Sequence, residues 1–119
     1  MPRNPKDKTT EHPVQLLIHY YLVAQGHFVW RNNTGMAHYG GRHVFFGKRG
    51  GADLLGCHKS SGKLIAIEVK RPDGSRPTTE EQKVFLREIA ERGGLAGVAH
   101  DLEDVDRILA GEGLATIPD

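Results

Sequence analysis

At 119 residues the chain is long enough for one layered core and too short for two. With 38% hydrophobic and 26% charged residues it falls in the globular range, and no run approaches the roughly 18 apolar residues of a membrane-spanning helix. A net charge of +1 excludes the overall basic field of a strong nonspecific nucleic-acid binder, yet the stretch from Arg31 to Arg49 carries Arg31, Arg42, Lys48 and Arg49, with His38 and His43, and no acid.

Residues 1–9 are polar with two prolines and no apolar period, and are expected to form a flexible arm before a single domain over 10–119. Positive charge at Arg3, Lys6 and Lys8 has no apolar segment behind it, so no secretory signal is read and a cytoplasmic location is expected. Thr10 is placed to cap a first helix and Pro13 fits its first turn. Val14, Leu17, Ile18, Tyr21 and Leu22 follow the spacing of one buried face, and Gly26 ends the helix. A short strand over 27–31, a turn at Asn32-Asn33-Thr34-Gly35 and a second strand at Val44-Phe45-Phe46 lead to a loop at Gly47-Lys48-Arg49-Gly50-Gly51.

Next, Asp53 to Cys57 and Leu64 to Lys70 read as a hairpin around Lys59-Ser60-Ser61-Gly62. A turn symmetric about Ser60 and Ser61 pairs residues whose numbers sum to 121, which sets Asp53 across from Glu68 at the roughly 5 Å of cross-strand neighbours. Period-2 alternation puts Glu68 and Lys70 on one face and Ile65, Ile67 and Val69 on the other. Two like charges side by side cost several kcal/mol unless compensated, and a cation is the simplest compensation. A turn-capping role for Asp53 after Gly50-Gly51 is the plainer alternative.

Beyond a loop over 71–77, Thr78-Thr79-Glu80-Glu81 has the S/T-x-x-E form of a capping box and opens a helix whose buried face is Phe85, Leu86, Ile89 and Ala90. Gln82 shares that inward face at the helix start, either reaching the strand or serving the cap. Gly93-Gly94 stops the helix, Leu95 to Ala99 forms a strand, and Asp101 caps a last helix bearing Leu102, Val105, Ile108 and Leu109. The lone cysteine, Cys57, has no disulfide or C-x-x-C partner and is expected to be a core or half-buried thiol. None of the seven histidines stands at zinc-ligand spacing, and Gly47 to Gly51 lacks the ending of a phosphate-binding loop. Tyr20, Tyr21, Phe28, Trp30, Phe45 and Phe46 sit at apolar-periodic positions, so most are expected in the core rather than stacked on bases.

Glu11 on the first helix, Gly51-Ala52-Asp53 before a strand, Glu68-Val69-Lys70 on the next strand and Gln82 on the following helix together resemble the VRR-NUC domain of the PD-(D/E)XK nuclease superfamily, in its short stand-alone phage form. The resemblance runs from about Thr10 to Leu109 and includes Arg31-Asn32-Asn33-Thr34-Gly35 and Ile67 to Gly74. Ala52 departs from the superfamily pattern, which has proline there, at a position that tunes backbone rather than supplying a ligand. The resemblance implies an α/β fold with a restriction-endonuclease-like mixed β-sheet flanked by helices, and the expected element order is α-β-β-β-α-β-α. It also implies a Mg²⁺ or Mn²⁺ cofactor, cleavage of DNA phosphodiesters, a homodimer on branched DNA such as Holliday junctions, and a phage-infected or bacterial host cell.

On this reading Asp53, Glu68 and the Val69 carbonyl supply oxygen ligands to a hard cation, with Glu11 adding a carboxylate directly or through water. Lys70 positions or deprotonates the attacking water and offsets developing charge, and Gln82 orients Lys70 or a phosphate oxygen. Phosphate contacts are expected among Arg31, Asn33, Arg42, Lys48, Arg49 and Arg71. A noncatalytic nucleic-acid-binding subunit, or a nuclease of linear duplex, are the alternatives the sequence leaves open.

Overall fold

The computed structural model describes residues 11–32, 35–46, 50–73 and 76–119, and for residues 11, 12, 35–39 and 43–46 it describes the backbone alone. The expected arm over 1–9, the Thr10 cap, and Asn33, Lys48 and Arg49 lie outside the described residues. The elements run α1 (Glu11–Ala24), β1 (Phe28–Arg31), β2 (Gly35–Tyr39), β3 (Arg42–Phe46), β4 (Leu54–Cys57), β5 (Leu64–Val69), α2 (Glu80–Glu91), β6 (Leu95–Ala99) and α3 (Leu102–Leu109), followed by a 3₁₀ turn over Gly113–Thr116. Five strands, not the expected three, separate α1 from α2. Four strand segments are legible there in the sequence, one more than the expected order allows. The fifth, β2, escapes because Gly-Met-Ala-His-Tyr has neither the β-branched content nor the alternation of a strand. It pairs with β3 through Gly40-Gly41, whose φ values of +55° and +79° suit the two-residue hairpin turns that match strand twist.

Four strands form one mixed open sheet in the order β1-β4-β5-β6, antiparallel except for the β5–β6 pair. The β4–β5 register is the expected one: Leu54 faces Ile67, Leu55 faces Ala66, Gly56 faces Ile65 and Cys57 faces Leu64. Val29, Leu54, Ile65, Ile67, Val69 and Leu95 pack with Ile18 and Leu22 of α1 and Val105 and Ile108 of α3. On the other face Ala66, Ala96 and Val98 meet Leu86 of α2, with Phe85, Ile89 and Ala90 alongside. β5 is therefore covered on both sides, and its one charged residue, Glu68, lies buried, not in water.

Helix faces follow the 3.6-residue period with one correction. Ile18 and Leu22 are fully buried and Val14 and Tyr21 pack partly, but Leu17, expected on the same face, is 53% exposed. One residue turns a helix by about 100°, so a stripe centred on Ile18 and Leu22 carries Leu17 over its shoulder. Each helix closes in a Schellman motif. Gly26 and His27 donate to the carbonyls of Val23 and Leu22, Gly93 and Gly94 to Ala90 and Ile89, and Gly111 and Glu112 to Ile108 and Arg107. The Tyr21 hydroxyl donates to Asp106 Oδ1 at 2.6 Å, tying α1 to α3, and that bond raises the phenol above its ordinary pKa. Beyond β6, Thr116 Oγ1 accepts from the Val98 N–H at 2.9 Å and donates to the Gly113 carbonyl, so a side chain closes this edge of the sheet. Among the described residues no helix is long and apolar enough to cross a membrane. Cys57 is half-buried, as expected.

Strand β1 approaches β4 very closely at Gly56. A Cβ there would run into the Phe28 carbonyl and lie 2.6 Å from Val29 Cα, both backbone atoms that cannot step aside. Gly56→Ala should therefore cost about 3 kcal/mol, read as a lower urea midpoint with an unchanged m-value.

His27 is buried, and its Nδ1 accepts from the Lys59 N–H at 3.0 Å, which requires an unprotonated Nδ1. Burial first, then the neighbouring His58 ring at 4.5 Å and Lys59, lower its pKa below the ordinary 6.5. The unfolded chain binds this proton more readily, so the contribution of His27 to stability is complete above about pH 6.5 and is lost as pH falls towards the depressed value. His27→Gln keeps an acceptor but cannot charge, and it should flatten the fall in urea midpoint between about pH 7.5 and 5.5.

Candidate active site

The ladder between β4 and β5 ends at Leu54 and Ile67, and the next residue on β4's side, Asp53, uses its side chain where backbone pairing stops. Asp53 Oδ2 accepts from the Val69 N–H at 2.8 Å, a charge-assisted bond that fixes the carboxylate beside the peptide joining Glu68 to Val69. Its backbone is held as well. Asn32 donates its N–H to the Asp53 carbonyl at 2.8 Å and its side-chain amide to the Ala52 carbonyl at 3.1 Å. The Val69 N–H is directed away from β6, and a strand residue exchanges both its bonds on one side, so the Val69 carbonyl leaves the strand on the side of Asp53.

Glu68 and Lys70 are 4% and 6% exposed. Lys70 Nζ lies 3.5 Å from Glu68 Oε2, and the Lys70 N–H donates to the Ala99 carbonyl at 3.0 Å, which anchors the residue to β6. Glu68 Oε2 also accepts from Gln82 Nε2 at 2.8 Å. The other end of the same amide, Gln82 Oε1, accepts from the Thr79 N–H at 2.9 Å, while Thr79 Oγ1 accepts from the Gln82 N–H at 3.2 Å. A backbone N–H can only donate, so Oε1 must face Thr79 and Nε2 must face the carboxylate.

The capping box is thus Thr79 with Gln82, one residue later than the expected Thr78 with Glu81. Adjacent threonines followed by Glu81 and Gln82 satisfy the motif in either frame, and the frame that also serves the buried carboxylate is the one adopted. Gln82 does both jobs that the sequence offered as alternatives.

The structure brings Asp53, Glu68, Val69, Lys70 and Gln82 together at one end of the sheet. Arg71 follows directly and is half-buried, while Arg31 is exposed on β1 and Arg42 is exposed on the separate β2–β3 hairpin. The Glu11 side chain lies outside the described residues, as do Asn33, Lys48 and Arg49. Among the described residues no group of three or more His, Cys, Asp or Glu converges as a metal site. The donor chemistry at Asp53, Glu68 and the Val69 carbonyl is all oxygen, which fits a hard cation such as Mg²⁺ or Mn²⁺. Such an ion would share Glu68 with Lys70 and Gln82.

Two residues here escape sequence reasoning. Asn32 reads as turn polarity, and nothing local marks its bond to Ala52, 20 positions away. Thr79 was legible in principle, because Gln serves a capping box as well as Glu. The chain matches no protein-family model and no curated protein sequence.

Gln82→Glu tests the double role. The new carboxylate keeps the Thr79 N–H but faces Glu68 with like charge, so the pair takes up a proton more readily folded than unfolded. The variant should lose about 2 kcal/mol at pH 8 and recover part of it by pH 5, because a raised folded-state pKa adds stability as pH falls. A pH-independent loss in urea denaturation would contradict the arrangement.

Proposed function

We propose that this protein is a metal-dependent endonuclease that hydrolyses DNA phosphodiester bonds, a VRR-NUC-type member of the PD-(D/E)XK nucleases acting as a homodimer on branched, Holliday-junction-like DNA. The observation that carries the reading is the joining of Asp53, Glu68, Lys70 and Gln82 at the open end of the β4–β5 ladder. The family, the junction preference and the dimer rest on the resemblance of the motifs.

In this reading Asp53, Glu68 and the Val69 carbonyl hold Mg²⁺ or Mn²⁺, with Glu11 as a further carboxylate. When bound, the cation supplies Lewis-acid polarisation of the scissile phosphate and a lowered pKa for water. The chain's own residues do the rest. The Val69 N–H and the Asn32 bonds keep Asp53 in place, and Gln82 holds the Glu68 carboxylate through its Oε2. Lys70 brings an ammonium to the same point, where it orients the attacking water and offsets the negative charge that builds on the phosphorus oxygens. Arg31, Arg42, Lys48, Arg49, Arg71 and Asn33 provide phosphate contacts that position the strand.

One observation favours a second reading. Glu68 and Lys70 are almost wholly buried and neutralise each other, as a structural pin in a noncatalytic DNA-binding subunit would. Cleavage separates the two. With Mg²⁺ or Mn²⁺, the wild-type protein should cut a four-way junction in preference to a flap or linear duplex, EDTA should abolish cutting, and Asp53→Asn and Lys70→Ala should lower the rate at least about a hundredfold. Binding of junction DNA without cutting establishes the noncatalytic subunit, equal cutting of linear duplex removes the structure selectivity, and light scattering reads the dimer.

A further inference from the structure

Phe28 and Trp30 belong to a set of six aromatics most of which are expected in the core, yet they are 71% and 42% exposed. They lie on β1, the strand at the edge of the sheet, and alternation sends Val29 into the core and both rings to the opposite face. The rings touch, with centroids 5.4 Å apart and planes tilted by 55°, so each presents a separate face. We propose that Phe28 and Trp30 form a stacking platform for the bases of an unpaired DNA strand that runs past the candidate active site. The proposal rests on the nuclease reading above and names the part of the substrate that this surface holds.

Register fixes the relation between platform and site. Trp30 pairs with Leu55 and Leu55 with Ala66, so the face carrying the two rings is the face carrying Ala66 and Glu68. One strand spacing and two residues separate Trp30 from Asp53, roughly 8 Å between Cα positions, and two strand spacings bring it to roughly 12 Å from Glu68. Bases seated on the rings would leave their backbone within reach of the carboxylates.

Charge argues for a polyanion as the occupant. Residues 26–32 and 54–63 contain Arg31, Lys59 and Lys63 and no acid. Lys59 and Lys63 are exposed in the turn at the Phe28 end of the strip, whereas alternation sends the exposed Arg31 to the face opposite the rings. Lys59 is held at the Phe28 end, because its N–H bonds His27 and its aliphatic stem lies against Gly26, 3.4 Å from where a Cβ there would sit. Exposed aromatic rings bordered by cations are the elements from which single-strand grooves are built, since every base offers a π-face whatever its sequence.

Trp30 is the only tryptophan, so its emission reports on the platform directly. The full chain in EDTA, titrated with a short fluorescein-labelled oligothymidylate, should show Trp30 quenching that follows the anisotropy isotherm and exceeds the quenching given by a blunt duplex. Phe28→Ala and Trp30→Ala should each weaken oligothymidylate binding by about tenfold or more, while Trp30→Phe retains most of the affinity. Phe28 is exposed enough for its alanine variant to fold, as far-UV circular dichroism would verify. Isotherms unchanged in both alanine variants would overturn the platform, as would equal quenching by duplex. So would Trp30 emission that ignores the oligonucleotide but follows protein concentration, with a dimer lost in Phe28→Ala, because the strip would then be a contact between copies. Junction cleavage by the wild type keeps the two readings apart: cutting with unchanged isotherms sinks the platform alone, whereas quenching and weakened variants without any cutting sink the nuclease alone.

Discussion

A carboxylate buried under a helix, at the end of a strand that is covered on both faces, is the constraint to which the rest of this fold answers. Glu68 cannot be left there alone, because an unpaired charge in such a place costs several kcal/mol. Its partners come from different levels of the structure. Lys70 stands two residues on, just past the end of β5, with its ammonium beside the Glu68 carboxylate, and its own backbone is pinned by the parallel neighbour β6. Gln82 comes from the first turn of α2, where a side-chain amide is already needed to cap the helix. One amide serves a helix end with its oxygen and a buried acid with its nitrogen, which fixes where α2 begins and how it is set against β5.

The protein's own compensation changes the meaning of the acidic pair. Register alone asked for a cation to offset Asp53 against Glu68. The structure gives Asp53 the Val69 N–H and gives Glu68 an ammonium and an amide. The two acids are thus provided for within the fold, and the argument for a divalent ion rests on the oxygen chemistry of the site and not on stability.

Local rules made much of this legible. The 121 register follows from a short polar turn and a two-residue period, and once those are read every pair from Leu54 to Cys57 is determined. The helices are legible because each has an apolar stripe and a glycine at its end. Failures occurred where two local answers were equally good or where the answer was not local. Thr78 and Thr79 offer the same hydroxyl one residue apart, and only the distant Glu68 chooses between them. Asn32 acts on Ala52 and Asp53 across a gap in the chain that no period crosses. Phe28 and Trp30 alternate correctly as strand residues, but alternation cannot say that α2 covers only the β5–β6 end of its face.

The hydroxyl of Thr116 has a consequence for how the molecule meets its own kind. It accepts from Val98 and donates to Gly113, standing in for one peptide unit of a missing neighbour, and it reaches that position because Gly97 has no side chain to obstruct it. A sheet that finishes on a side chain offers no row of amides to copy at that point. The parallel margin is therefore a poor seed for intermolecular strand growth, and the sheet is directional as a template: whatever tendency it has to recruit another strand belongs to the β1 side.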